Sequence, residues 1–170
     1  MESRILFSFL IFFFMFTLPA YSVVGKSVQD YENSRASKGL SKEPFHVKGI
    51  NDDRVFERAY ALGASVVLKV FTIENKKSAI IFEADVYVGN NQPIPGSEQE
   101  VNKIINNLAP GYIKGIPSVK TKNLENGKFV EMQDYTTGIR IIKVKENNKL
   151  MLIKVIYREL ARKAKFLYTI

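Results

Sequence analysis

Two carboxylates spaced for a strand are the first residues that could carry chemistry. Glu83 and Asp85 lie two positions apart in residues 78–88, where apolar and polar side chains alternate. Both side chains therefore project from one face of a predicted strand. A carboxyl pair can act as general acid and general base when its surroundings separate the two pKa values. Alternating acidic residues also mark the solvent face of an amphipathic antiparallel strand, and this second interpretation is favoured.

The other reactive residue types are scarce. The chain has one histidine, His46, and no cysteine. Thiol catalysis and thiolate metal sites are therefore excluded, and one histidine with carboxylates is a poor ligand set for zinc. His46 follows Pro44 and Phe45 in a short predicted edge strand, which favours a structural role. The sequence thus assigns no catalytic, cofactor-binding or metal-binding residue and favours a protein that is not an enzyme.

The distribution of charge is the most unusual feature. The chain has 25 Lys and Arg against 17 Asp and Glu, a net charge of +8. Residues 111–170 hold 13 basic and 5 acidic residues and so carry the whole excess. Such a basic surface attracts polyanions, which points to an anionic membrane surface, a glycolipid or an acidic protein. Nucleic acid is disfavoured, because its binding sites usually add exposed aromatic residues or a recognition helix.

The last predicted hairpin suggests how this charge is displayed. Asn147 and Asn148 predict a two-residue turn. The turn sets a register that gathers lysines on one face: Lys145 pairs with Leu150, Lys143 with Leu152, and Ile141 with Lys154. The candidate site for an anionic surface is Lys143, Lys145, Lys154 and Arg158. The favoured alternative is that a helix covers the aliphatic part of this face while the lysine stems extend past it to water.

The first 22 residues predict a secretory signal peptide. Arg4 precedes an uncharged apolar run over residues 5–18, Pro19 ends the run, and Ala20 and Ser22 occupy the two positions that a signal peptidase reads. The run is shorter than the roughly 20 residues of a membrane-spanning helix. Cleavage near Ser22 is therefore favoured over an uncleaved anchor, and we expect an exported protein, periplasmic or secreted.

The remaining chain predicts an arm and one domain. Residues 23–42 are polar and aperiodic and predict a disordered arm, and residues 43–170 predict a single domain. Residues 51–53 are expected to cap a short helix with the apolar stripe Val55, Phe56, Ala59 and Tyr60. Ser97 and Glu100 form a capping-box pattern before a second helix that runs to Leu108.

The strand patterns give the fold class. Two strands, residues 65–73 and 78–88, form a predicted hairpin, and the Asn126-Gly127 turn opens a meander of about four strands. The class is α+β, with a largely antiparallel sheet of about six strands and two or three helices. Residues 160–170 fit either a basic helix or a final strand. The element order resembles that of PsbP-like and NTF2-like domains, an analogy at the level of the fold.

Together these patterns favour an exported, non-enzymatic binding or assembly protein that uses its basic C-terminal half. Two alternatives remain open. One is a carboxylate-dependent enzyme that uses Glu83 and Asp85, and the other is a secreted factor that acts on other cells.

Overall fold

The fold is known from a computed structural model, which describes residues 22–50, 54–63 and 65–164. These residues form three helices: α1 (Val28–Ala36), α2 (Glu98–Leu108) and α3 (Arg158–Lys163). They also form eight strands: β1 (His46–Ile50), β2 (Val55–Ala61), β3 (Val66–Thr72), β4 (Ile81–Val88), β5 (Ser118–Asn123), β6 (Lys128–Asp134), β7 (Ile139–Glu146) and β8 (Lys149–Tyr157). None of the helices within these ranges has the length and apolar character needed to cross a membrane.

All eight strands belong to one antiparallel sheet with the order β1-β2-β3-β4-β8-β7-β6-β5. The last strand, β8, lies at the centre, because it pairs with β4 on one side and β7 on the other. The predicted α+β class is confirmed, with eight strands in place of about six. His46 begins the edge strand β1, where it pairs with Ala59.

The sheet has two covered faces. The front face packs against α1 and α2, with a core that includes Tyr60, Leu68, Ile153 and Val155. The back face carries a second apolar cluster around Phe71, Phe82, Ile142 and Ile156, to which α3 adds Ala161. A sheet covered on both sides hides polar and apolar residues alike, so the alternation of its strands is a weak guide to exposure.

The helix predicted after residues 51–53 is wrong: its stripe residues belong to β2. Val55 and Tyr60 are both fully buried, and they lie in the back and front clusters respectively. Because both faces of β2 are covered, its sequence lacks the two-residue alternation that reveals a half-exposed strand. The predicted cap residues 51–53 lie outside the described residues.

The arm predicted to be disordered also differs in the structure, since residues 28–36 form α1. Glu32 is fully buried and accepts hydrogen bonds from Tyr60 Oη (3.1 Å) and Lys77 Nζ (2.6 Å). Arg35 donates to the Ala61 carbonyl (2.9 Å) and lies 4.9 Å from the centre of the Tyr60 ring. Paired charges, which composition cannot reveal, hold this polar helix on the sheet.

Helix α2 begins where its sequence predicts. Ser97 Oγ accepts a hydrogen bond from the Glu100 amide (3.3 Å), and Glu100 Oε2 accepts one from the Ser97 amide (2.6 Å). This reciprocal pair is the capping box. The buried side chains of the helix are those spaced for one face: Val101, Ile104, Ile105 and Leu108.

The β7–β8 hairpin has the predicted turn but not the predicted register. Lys145 pairs with Leu150 as expected, yet Val144 pairs with Leu152, so Met151 is an extra residue in β8. Beyond this bulge Lys143 pairs with Ile153, and Ile142 pairs with Lys154. The one-residue shift places Lys143 on the front face and Lys154 on the back face. Ile142 and Ile153 are both buried, on opposite faces of the sheet.

Candidate functional site

The four basic residues of the predicted site do not form one surface. Lys143 and Lys145 face a groove at the front of the sheet, Lys154 lies on the back face, and Arg158 begins α3. Two features therefore need separate description, a groove beside the last hairpin and a buried ionic cluster between β4 and β8.

The hairpin groove is the front-face depression between the loop at residues 93–96, the start of α2 and the β7–β8 turn. Its volume is about 500 Å³. A backbone hydrogen bond from the Ile94 amide to the Leu150 carbonyl (2.7 Å) holds the loop against β8. The groove combines an apolar side with three ammonium groups: Ile94, Val101, Leu150, Lys143, Lys145 and Lys149.

The charges of the hairpin groove are only partly balanced. Lys143 Nζ lies 3.8 Å from Glu131 Oε1, with 10% of the lysine side chain exposed. Glu131 also accepts a hydrogen bond from Gln133 Nε2 (2.7 Å). Glu98 is the second acidic residue of the lining. Three lysines against two glutamates leave the groove with a net positive charge. Lys145 and the exposed Lys149 lie at its outer side, and Lys149 is not among the residues predicted from the sequence.

Arg158 serves the fold of the β6–β7 turn. Its guanidinium donates to the carbonyls of Tyr135 (Nη2, 3.1 Å) and Gly138 (Nε, 3.4 Å). It also lies 3.7 Å from Asp134, whose carboxylate already receives two hydrogen bonds from Arg140. Because the Asp134 carboxylate lies between these two guanidinium groups, its pKa is held below its usual range, chiefly by the hydrogen bonds from Arg140. Arg158 is therefore committed to intramolecular contacts.

The buried ionic cluster consists of Glu83, Asp85 and Lys154 on the back face. The β4–β8 register sets Asp85 directly opposite Lys154. Lys154 Nζ donates to Asp85 Oδ2 (2.5 Å) and to Glu83 Oε1 (3.1 Å). Glu83 is fully buried and Asp85 is 6% exposed. The interpretation that these acids mark a solvent face of β4 is therefore wrong.

Burial controls the protonation of this cluster. Removal from water, and then the negative charge of Asp85, raise the pKa of Glu83 to about 8. Burial likewise raises the pKa of Asp85. A pKa of about 8 keeps a proton on Glu83 at neutral pH. With this proton, the Asp85 carboxylate and the Lys154 ammonium balance each other, which is the neutral state that a buried site favours.

Asp85 also reaches a second depression, the back groove, of about 530 Å³. Lys69 and Tyr87 line the same groove, and Lys69 Nζ lies 5.5 Å from the centre of the Tyr87 ring. The Lys69 ammonium is held by Glu57 at 3.0 Å. Because Glu83 is fully buried, a molecule in the back groove would meet the carboxyl pair through Asp85.

Some of the basic excess lies on the sheet edge. All six residues of β5 are exposed, including Lys120 and Lys122. Lysines on an edge strand discourage pairing with another chain, because two such edges repel each other. Part of the charge therefore has a structural explanation.

Comparisons of the chain with protein-family models, with curated proteins and with solved structures give no match. Its function is inferred from the geometry described above.

Proposed function

We propose that this chain is an exported, non-enzymatic binding protein whose hairpin groove holds an anionic ligand with an apolar part. The observation that carries the proposal is the convergence of Lys143, Lys145 and Lys149 on a groove with an apolar side. Part of the basic excess of residues 111–170 therefore lies at a concave site, where its attraction for an anion is concentrated.

The ligand class follows from the two halves of the groove. Ammonium groups on flexible stems bind phosphate or carboxylate as point charges. Ile94, Val101 and Leu150 offer an apolar strip that a simple inorganic anion would leave unused. An anionic amphiphile, with one charged head and an acyl chain, uses both halves. A groove of about 500 Å³ has the size of a small-molecule site.

A non-enzymatic role is preferred because the carboxyl pair has a structural explanation. Lys154 contacts both carboxyl groups, and a proton on Glu83 leaves the buried ionic cluster neutral. A general acid and base need direct access to a substrate, whereas Glu83 is fully buried. The analogy to PsbP-like and NTF2-like domains concerns element order and does not bear on the ligand.

The test uses the soluble chain that begins at Val23 and a soluble amphiphile, dodecyl phosphate, kept below its micelle concentration. Titration calorimetry at about 0.15 M salt limits long-range attraction between exposed charges. The groove variant is Lys145→Gln with Lys149→Gln. The matched control is Lys120→Gln with Lys122→Gln, which removes the same charge from the exposed strand β5.

We expect the groove variant to raise the Kd for dodecyl phosphate at least about tenfold, or about 1.4 kcal/mol, while the control changes it little. Zwitterionic dodecylphosphocholine should bind much more weakly. Equal losses in both variants would mean nonspecific charge attraction and would contradict the proposal. Tighter binding of a poly-aspartate peptide, unaffected by Leu150→Ala, would indicate an acidic protein as the partner instead.

The export half of the proposal has its own test. The full chain should be recovered outside the cytoplasm of an expressing bacterium, with Val23 as its first residue. Terminal sequencing that recovers Met1 on the exported protein would indicate an uncleaved anchor.

A further inference from the structure

The residues that follow the expected cleavage position are built into the folded core. The amides of Val23 and Val24 both donate to the Leu108 carbonyl at the end of α2, at 2.8 and 3.0 Å. Val24 is fully buried and Val23 is 6% exposed. The first two residues after Ser22 are thus fixed by backbone hydrogen bonds and by side-chain burial.

The next residues continue this attachment at the start of β4 and at the residues just before it. The Gly25 amide donates to the Ile81 carbonyl, and the Ile81 amide donates to the Lys26 carbonyl, both at 2.8 Å. The Val28 amide then donates to the Ala79 carbonyl at 3.0 Å. The segment is therefore held by a ladder of backbone hydrogen bonds that would have to break before it could leave the domain.

We infer that the Ser22–Val23 bond is a processing site that can be hydrolysed only before the domain folds. A protease accepts exposed, flexible segments and cuts a folded protein chiefly through its transiently opened states. In the folded chain a protease cannot reach Val23 and Val24, because their amides are hydrogen-bonded to the Leu108 carbonyl and their side chains are buried in the front-face core. Export must therefore deliver an unfolded chain to the peptidase. The inference rests on the export half of the proposed function.

The product of cleavage fits the same position. Hydrolysis adds one water across the bond, leaving a carboxylate on Ser22 and an ammonium group on Val23. This ammonium group keeps a donor for the Leu108 carbonyl. It also places a positive charge at the C-terminal end of α2, where a cation is favoured and where the last turn has no basic side chain. Arg35 and Lys38 line the cavity beside Val23 and oppose this charge.

The experiment compares precursors of residues 1–170 in detergent micelles with purified signal peptidase. The folded precursor is the natural sequence. The unfolded precursor carries Ile153→Lys, which puts a charge at a fully buried core position. The matched control is the natural sequence with a Gly/Ser spacer of about ten residues after Ser22, which behaves as flexible coil. Circular dichroism verifies the folded state of each precursor.

We expect the folded precursor to be cut at least about tenfold more slowly than the Ile153→Lys precursor, since cleavage follows the open population. The spacer precursor should be cut rapidly although it is folded. Rapid cutting of the natural folded precursor at Ser22 would overturn the inference. Failure of every precursor, with the spacer included, would overturn both this inference and export, but would leave the groove proposal to its own lipid titration.

Discussion

Lys154 and Asp85 stand directly opposite each other on the two central strands, with 2.5 Å between Nζ and Oδ2. The pair joins β4 to β8, and therefore the two halves of the sheet, across 69 residues of sequence. Glu83 lies two residues before Asp85 in β4 and accepts a hydrogen bond from the same ammonium group. Glu83, Asp85 and Lys154, which the sequence assigns to surfaces, therefore form a buried ionic contact between the two central strands.

The first prediction concerns pH. Between its ordinary pKa of 4.5 and its folded pKa of about 8, Glu83 keeps its proton in the folded protein and loses it in the unfolded chain. The folded state then binds more protons, so the free energy of unfolding falls as pH rises through this window, by at most about 1.4 kcal/mol per unit. Glu83→Gln should flatten this fall and make the protein more stable than the natural sequence at pH 8.

Urea denaturation at half-unit steps of pH measures this effect. The exposed Glu159, whose side chain pairs with Lys163 on α3, supplies the control variant Glu159→Gln, which should keep the natural profile. A Glu83→Gln protein with the same pH dependence as the natural one would contradict the protonated state of the cluster.

The second prediction concerns the ammonium group of the cluster. Lys154→Gln removes the cation that balances two buried carboxyl groups, and we expect a loss of about 3–5 kcal/mol in the free energy of unfolding at pH 7. The register predicted from the sequence would place Lys154 on a displayed face and tolerate even Lys154→Glu. Urea denaturation of the Lys154→Gln protein measures this loss, and the exposed Lys149→Gln variant serves as the control. A loss within error of the control would restore a surface role.

The third prediction concerns residues 23–42. If this segment were a loose arm, a chain of residues 43–170 would fold normally. In the structure, removal of residues 23–42 would expose Tyr60. It would also remove Glu32, and with it the hydrogen-bond partner of Tyr60 and an ion-pair partner of Lys77. We expect the shortened chain to aggregate or to unfold at a much lower temperature than residues 23–170. A cooperative melt at an unchanged temperature, measured by circular dichroism, would show that α1 is dispensable.

The fourth prediction concerns the start of α2. Ser97→Ala removes the acceptor for the Glu100 amide and should cost about 1 kcal/mol of stability. Ser97→Gly should cost only a few tenths of that, because glycine also tolerates the cap position. Chemical denaturation of the three proteins resolves this order. Equal stability of Ser97→Ala and the natural chain would mean that the capping box contributes nothing here.

Sequence reasoning succeeds here where the signal is local. The capping box of α2 lies within four residues, and the Asn147-Asn148 turn within two, so neighbouring residue types suffice to predict both. It fails where a distant partner decides. Glu32 is buried because Lys77 lies across from it, 45 residues away, and no pattern around α1 announces that contact.

Part of the candidate site can likewise be predicted from the local sequence, and part of it cannot. Lys143 and Lys145 can be chosen from the basic excess and the hairpin turn alone. The separation of Lys154 from them depends on the bulge at Met151, for which the local sequence has no glycine or other marker. The apolar half of the hairpin groove comes from the loop at Ile94 and from α2, so it exists only after the chain has folded.

The bulge at Met151 also gives the stem and the turn end of the last hairpin different sets of contacts. Below it, the stem is fixed by Ile153 in the front core and by Lys154 on Asp85. Above it, the turn end is held by two backbone hydrogen bonds, from the Ile94 amide to the Leu150 carbonyl (2.7 Å) and from the Asn147 amide to the Gly127 carbonyl (3.2 Å). Because the pairing is regular again beyond the extra residue, the exposed side chain of Lys149 can be exchanged while Ile153 and Lys154 keep their contacts.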